Sequence, residues 1–288
     1  MEGTGVAVVT PFTADGDIDE SSLTSLVGEL QARGVDFVVP VGSNGESVLL
    51  SPDERTRVIQ LVADAASVPV LAGTGTPGLR RTRRATERAA QAGADAALVV
   101  TPYYYRHDQS TLAAYYRDLA ERAPVPVYAY STPSKTGVHL QAETVAELAA
   151  HPNIAGLKDS SGDLERLQRE VALTSDRAFD VLIGHGGLFA QALDAGAAGG
   201  VLAMANLVPA AASAVYDRYT ADDAAGARAQ NASLVELNHA VTDRYGVPGL
   251  KAAMRLRGLP AGHVRSPHRP VGPNVEAELE DLLAAVEP

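Results

Sequence analysis

The chain has 288 residues, 46% of them apolar, which suits one barrel-sized domain of about 250 residues with an appendage. A formal charge of −11 excludes a phosphate-neutralising nucleic-acid surface, and the lack of cysteine excludes disulfides, thiolate nucleophiles and Cys-ligated zinc. No apolar run reaches the roughly 18 residues of a membrane span, and the start MEGTGVAVVTPF lacks a secretory signal, so no membrane partner and a cytoplasmic location are expected.

Short β-rich apolar runs alternate with longer helical stretches along the chain. Strands are expected at Gly5–Phe12, Phe37–Gly42, Pro69–Gly73, Ala96–Pro102, Pro126–Tyr130, Ile154–Asp159, Phe179–Gly184 and Gly199–Met204. Helical patterns follow each of them, around 21–33, 53–66, 79–92, 110–122, 141–150, 164–174, 187–195 and 209–219, several opened by Ser, Asp or Pro. Near-continuous apolar strands such as Ala97–Val100 belong to a parallel sheet covered by helices. Eight such units with right-handed crossovers predict a (β/α)8 TIM barrel over residues 1–221, with a doubly wound open sheet as the alternative. Three further helices, Asp222–Thr242, Pro248–Gly258 and Asn274–Glu287, make residues 222–288 a C-terminal helical appendage.

In a barrel the chemistry gathers where strands end and loops begin. Here those positions carry Gly42-Ser-Asn-Gly-Glu46, Thr101-Pro-Tyr-Tyr-Tyr105, Tyr130-Ser-Thr132 and Lys158-Asp-Ser-Ser-Gly162. Lys158 ends an apolar run, Ile154-Ala-Gly-Leu157, where a charge is costly unless compensated. It is one of three lysines, with Lys135 and Lys251, against twenty-one arginines. A chain that otherwise uses Arg for positive charge has placed here an amine that can lose its proton, which an imine-forming nucleophile requires and a guanidinium cannot supply. Burial favours that neutral form. A structural lysine paired with Asp159 or Glu46 satisfies the same residues, and on the residues alone both readings stand.

Tyr130 closes the neighbouring strand, within reach of the Lys158 amine and of a carbonyl bound there, so its phenol is a candidate proton shuttle. A rim tyrosine with its hydroxyl in water is the plainer reading, and Tyr103–Tyr105 are equally readable as an interface patch. The small residues of 42–46 expose backbone N–H groups suited to a carboxylate, although such a turn is often only a turn. Gly73-Thr-Gly-Thr-Pro-Gly78 matches G-x-G-x-x-G, but it follows the third strand rather than opening a dinucleotide-binding unit. The seven histidines show no metal-ligand spacing, so neither metal nor cofactor is expected; His185 follows the seventh strand, either lining the pocket or satisfied in its loop.

These motifs together resemble the pyruvate-dependent aldolases that include dihydrodipicolinate synthase and N-acetylneuraminate lyase. The resemblance runs through Val9-Thr-Pro-Phe12, Gly42–Glu46, Thr101–Tyr104, Tyr130–Pro133, Gly156-Leu-Lys-Asp-Ser160 and Gly199-Gly-Val201. It implies a Schiff base on Lys158, proton transfer by Tyr130 with Ser43 and Tyr104 as a hydroxyl relay, and a substrate carboxylate held by Ser43, Asn44 and Gly45. Ser160 is implied as a further substrate contact. Tyr104 is implied to cross a dimer interface, in a homodimer or homotetramer. Within the family, Ser43-Asn44, Lys158–Ser160 and the segment 240–251 look most like 4-hydroxy-2-oxoglutarate aldolase, whose small-molecule substrates are a 2-oxo acid and an aldehyde. Dihydrodipicolinate synthases usually carry Thr-Thr at 43–44, and an arginine where this chain has Lys135. A lysine attracts a carboxylate as a point charge but lacks the bidentate fork. Condensation of pyruvate with aspartate semialdehyde is therefore the alternative reaction. A 2-oxo-acid-binding sensor without turnover is the alternative of another kind.

Overall fold

The structure, a computed structural model, describes residues 1–286. Its eight parallel strands are β1 Gly3–Val6, β2 Phe37–Val38, β3 Leu71–Gly73, β4 Ala96–Val100, β5 Val127–Ser131, β6 Ile154–Asp159, β7 Asp180–Ile183 and β8 Gly199–Leu202. They run in the order β2-β1-β8-β7-β6-β5-β4-β3, and a parallel bridge between Val38 and Val70 joins the two ends. The result is the (β/α)8 barrel expected, and not an open sheet.

The covering helices are α1 Glu20–Ala32, α2 Pro52–Ala65, α3 Leu79–Gln91, α4 Gln109–Ala120, the short α5 Pro133–Thr136, α6 Ala142–Leu148, α7 Leu164–Thr174, α8 Phe189–Asp194 and α9 Pro209–Thr220. Their starts follow side-chain capping. Asp19, Asp108 and Asp163 each accept an amide from the first turn that follows, and Ser51 with Glu54 forms a reciprocal capping box. The last three helices are α10 Ala224–His239, α11 Gly246–Leu256 and α12 Pro273–Ala284. The first was expected to run to Thr242, but a π-helical segment, Ala240–Arg244, follows α10 instead. Glu287, the expected end of the last helix, lies outside the described residues.

Alternation along the strands separates two layers. Phe37, Leu71, Leu98, Tyr128, Tyr130 and Leu182 fill the barrel, while their sequence neighbours Val38, Ala72, Val99, Ala129 and Ile183 face the helices. Six of the eight strands are shorter than the sequence suggests, β1 and β2 most of all, by four residues each. Pairing of β1 with β8 ends at Val6–Leu202, after which the Val9 amide turns to the Asn206 side chain and Pro11 has no N–H to give. β2 stops short of Val41, whose φ of 58° is incompatible with a strand. Among the described residues no helix is long and apolar enough to cross a membrane.

Candidate active site

β5 and β6 pair in register with Tyr130 opposite Lys158, so both side chains project into the barrel at its C-terminal end. Lys158 is 7% exposed, and its Nζ lies 4.4 Å from the centre of the Tyr130 ring. Among the described residues it makes no ion pair. The two carboxylates that competed for it are occupied elsewhere. Asp159 points to the outer face, where it accepts the Ser161 amide at 3.0 Å and the Ser161 hydroxyl at 2.6 Å. Glu46 is bound by Lys251, whose Nζ donates to Glu46 Oε1, to the Thr10 carbonyl and to the His263 carbonyl, each at 2.6 Å. The other Glu46 oxygen accepts the Arg265 amide at 3.0 Å and lies 3.2 Å from His268 Nδ1.

The phenol of Tyr130 is tuned by opposing effects. Burial raises its pKa, but the nearby Lys158 charge and hydrogen bonds with Ser160, Thr132 and Ser43 outweigh that and bring it down to about 8. Such a phenol exchanges a proton near neutral pH far more readily than a free tyrosine does.

The loop after β2 is held in a strained shape. Val41 and Glu46 both have left-handed φ, 58° and 53°, which for a β-branched valine costs about 1–3 kcal/mol. Between them the chain folds back on itself, with the Glu46 amide donating to the Ser43 carbonyl and the Ser47 amide to the Gly42 carbonyl. Thr10 Oγ1 donates to the Gly45 carbonyl at 2.8 Å and ties the loop to the segment that follows β1. The buried Glu46–Lys251 pair fixes its far end to α11.

This loop, Tyr130, Thr132 and Lys135 line a cavity of about 530 Å³ at the barrel mouth, with Tyr103, Arg55, Tyr245 and His268 among its other walls. Of the residues singled out in the sequence, Ser43, Tyr130 and Lys135 line this space directly. Lys158 and Ser160 adjoin it through Tyr130. Asn44 and Gly45 sit in the strained loop but not in the lining. Tyr104 stands apart: it has a φ of 80°, 87% of its surface is exposed, and it is not part of the cavity lining of its own chain. His185 stays outside the lining, with Nε2 4.0 Å from Asp243 Oδ2.

Four contributors were missed in the sequence. Gly184 follows β7, and a Cβ there would fall 1.8 Å from Ser160 Oγ and 2.8 Å from Lys158 Cε, so only glycine leaves room for both. Gly73 and Gly75, part of the apparent nucleotide motif, are glycines because the backbones of Val41 and Val100 would meet a Cβ at 2.1 and 2.5 Å. Arg55 is the fourth: it enters the lining from α2, a helix that the motifs gave no reason to inspect.

The dihydrodipicolinate synthetase family model matches residues 1–286. A 4-hydroxy-tetrahydrodipicolinate synthase from Methanothrix thermoacetophila is 37% identical over 283 residues, 98% of this chain and 96% of that protein. An uncharacterized DapA-like lyase from Halobacterium salinarum is 40% identical over 286 residues, covering 99% of this chain and 93% of the relative. Among solved structures, the chloride-inhibited dihydrodipicolinate synthase from Acinetobacter baumannii in complex with pyruvate superposes with a TM-score of 0.95 at 33% identity, covering 99% and 98% of the two chains.

Proposed function

The chain belongs to the dihydrodipicolinate synthetase family, and we propose that it acts as a class I aldolase, making or breaking a C–C bond beside the carbonyl of pyruvate through an imine on Lys158. The observation that carries this reading is a buried lysine with no counter-charge among the described residues, paired across two strands with a tyrosine whose pKa is lowered to about 8. A structural lysine would hold a carboxylate, and both candidates for that role are engaged elsewhere. The pyruvate bound in the Acinetobacter relative supports the same choice of substrate.

In the cleavage direction the neutral Lys158 Nζ adds to C2 of the 2-oxo acid and the former carbonyl oxygen leaves as water, giving an iminium. The C4 hydroxyl then loses its proton, the C3–C4 electrons flow into the iminium, and an aldehyde departs from an enamine. Protonation at C3 and addition of water release pyruvate and restore the amine. Aldol addition is the reverse. Tyr130 moves the protons, with Ser43 in its hydrogen-bonding shell as the next hydroxyl. Ser43, Asn44 and Gly45 hold the pyruvate carboxylate at the strained loop, and Ser160 orients the phenol. Tyr104 completes the relay in a neighbouring subunit. Its exposure and its left-handed backbone support that assignment, and with it a homodimer or a pair of dimers.

For the aldehyde, the names of the relatives weigh toward condensation with aspartate semialdehyde, as in a 4-hydroxy-tetrahydrodipicolinate synthase, over cleavage of 4-hydroxy-2-oxoglutarate to pyruvate and glyoxylate. Ser43-Asn44 and Lys135 are the features on the other side. Initial rates with pyruvate and each aldehyde separate the two. Turnover with aspartate semialdehyde and little with glyoxylate supports the synthase, the opposite supports the aldolase, and turnover with no aldehyde leaves a binding protein.

A further inference from the structure

We infer that Arg55 recognises an anionic group carried by the aldehyde several bonds beyond its reacting carbonyl. The inference rests on the pyruvate-aldolase reading and names the class of its second substrate: an aldehyde with a distal carboxylate or phosphate.

The chain as a whole carries a formal charge of −11, yet this cavity has the opposite balance. Arg55 and Lys135 both line it, and its one carboxylate among the described lining residues, Glu46, is already bound by Lys251. Arg55 lies in the first turn of α2 and is half-buried. Its Nη2 donates to the Gly73 carbonyl at 3.1 Å and the Gly75 carbonyl at 3.5 Å, which fixes the guanidinium at the end of β3. Its remaining donors, on Nε and Nη1, make no hydrogen bond among the described residues and are not sealed from solvent. A guanidinium held at one end with free N–H groups at the other is a fork suited to a carboxylate or phosphate.

Position argues for a distal group. β3 is three strands from β6 around the barrel, so Arg55 reaches the cavity from the side away from Lys158. A space of about 530 Å³ exceeds what pyruvate and a two-carbon aldehyde fill. Lys135 is exposed, and water and salt weaken its pull on an anion. The bidentate grip that Lys135 cannot provide is thus supplied from another helix.

The test uses matched aldehydes with pyruvate: succinate semialdehyde against butanal, and glyceraldehyde 3-phosphate against glyceraldehyde. The wild type should favour the charged member of at least one pair by about tenfold or more in kcat/KM, the scale of a charge-assisted fork, and the favoured pair tells carboxylate from phosphate. Arg55→Ala should bring that ratio close to one while changing the neutral member far less. Arg55→Lys, which keeps the charge and loses the fork, should fall between. Three results would overturn the inference: equal use of both members by the wild type, an equal loss on both in Arg55→Ala, or loss of the preference in Lys135→Ala alone. Should Arg55→Ala not fold, the wild-type ratio and the Arg55→Lys ratio still decide. Failure of the underlying reading looks different, because borohydride would then trap no pyruvate on the protein.

Discussion

Lys158 on β6 and Lys251 on α11 are both withdrawn from solvent, 7% and 0% exposed, and their surroundings are opposite. Lys251 has its full complement of acceptors: one carboxylate and two carbonyls, all at 2.6 Å, with the Phe12 ring 4.5 Å away. Lys158 has no counter-charge among the described residues and faces a phenol across a strand pair. Burying a charge without a partner is expensive, so a fold keeps such a lysine where its chemistry is used, whereas a fully bonded one holds the structure together. Lys251 does hold it together. Through Glu46 it fastens the C-terminal helices to the very loop that carries Ser43.

The sharpest way to break this contrast is to remove each lysine in turn. Lys158→Ala should lose turnover by at least about 10³-fold, the scale of losing a covalent nucleophile, with its thermal midpoint nearly unchanged. Tyr130→Phe should follow with a loss of about 10²–10⁴-fold. It should also erase a limb near pH 8 in the kcat/KM profile, because the wild-type phenol passes to phenolate there. A limb that persists in Tyr130→Phe belongs to another group. Lys251→Met should act on stability instead: it strands Glu46 without its counter-charge and should cost about 3–5 kcal/mol in denaturant unfolding. Adding Glu46→Gln should recover much of that. A Lys251→Met variant as stable as the wild type would undo the distinction between the two lysines.

Glu170 sharpens the comparison from a third side. It is buried on α7 and, among the described residues, has no hydrogen-bond partner for either oxygen and belongs neither to an ion pair nor to the cavity. Burial above all, then the neighbouring Asp159, push its carboxyl from 4.5 up to about 9. Because the folded pKa lies above the unfolded one, ionisation opposes folding, and stability should fall as pH rises from about 4.5 toward 9. Glu170→Met should therefore stabilise the chain at pH 8 by about 1–3 kcal/mol, with the gain fading toward pH 4.5. A gain independent of pH would place the effect in packing rather than in charge.

Much of this was legible in the chain. The eight alternations were visible because parallel strands covered by helices read as unbroken apolar runs, and β6 was bounded correctly because Asn153 and Ser160 flank it. Lys158 and Tyr130 stood out for the same reason: each ends such a run. What was hidden depends on pairs far apart in sequence. Lys251 meets Glu46 across 205 positions, and until the barrel closes nothing distinguishes it from Lys158 as a rare lysine. Gly184 is needed because of Ser160, just past the end of the neighbouring strand, and Arg55 enters the cavity only because its side chain reaches from α2 to the Gly73 carbonyl at the end of β3. The left-handed Val41 was illegible for another reason: a β-branched residue is the last that local preference would put there.

In the proposed reaction Lys158, and not Lys251 or Lys135, bonds to substrate. Incubation of the wild type with pyruvate and borohydride, followed by peptide mass mapping, tests it directly. One reduced pyruvate adduct per chain is expected on the peptide containing Lys158, still formed in any folded Lys251→Met protein and absent from Lys158→Ala. An adduct on Lys251 or Lys135, or none in the folded wild type, would contradict it.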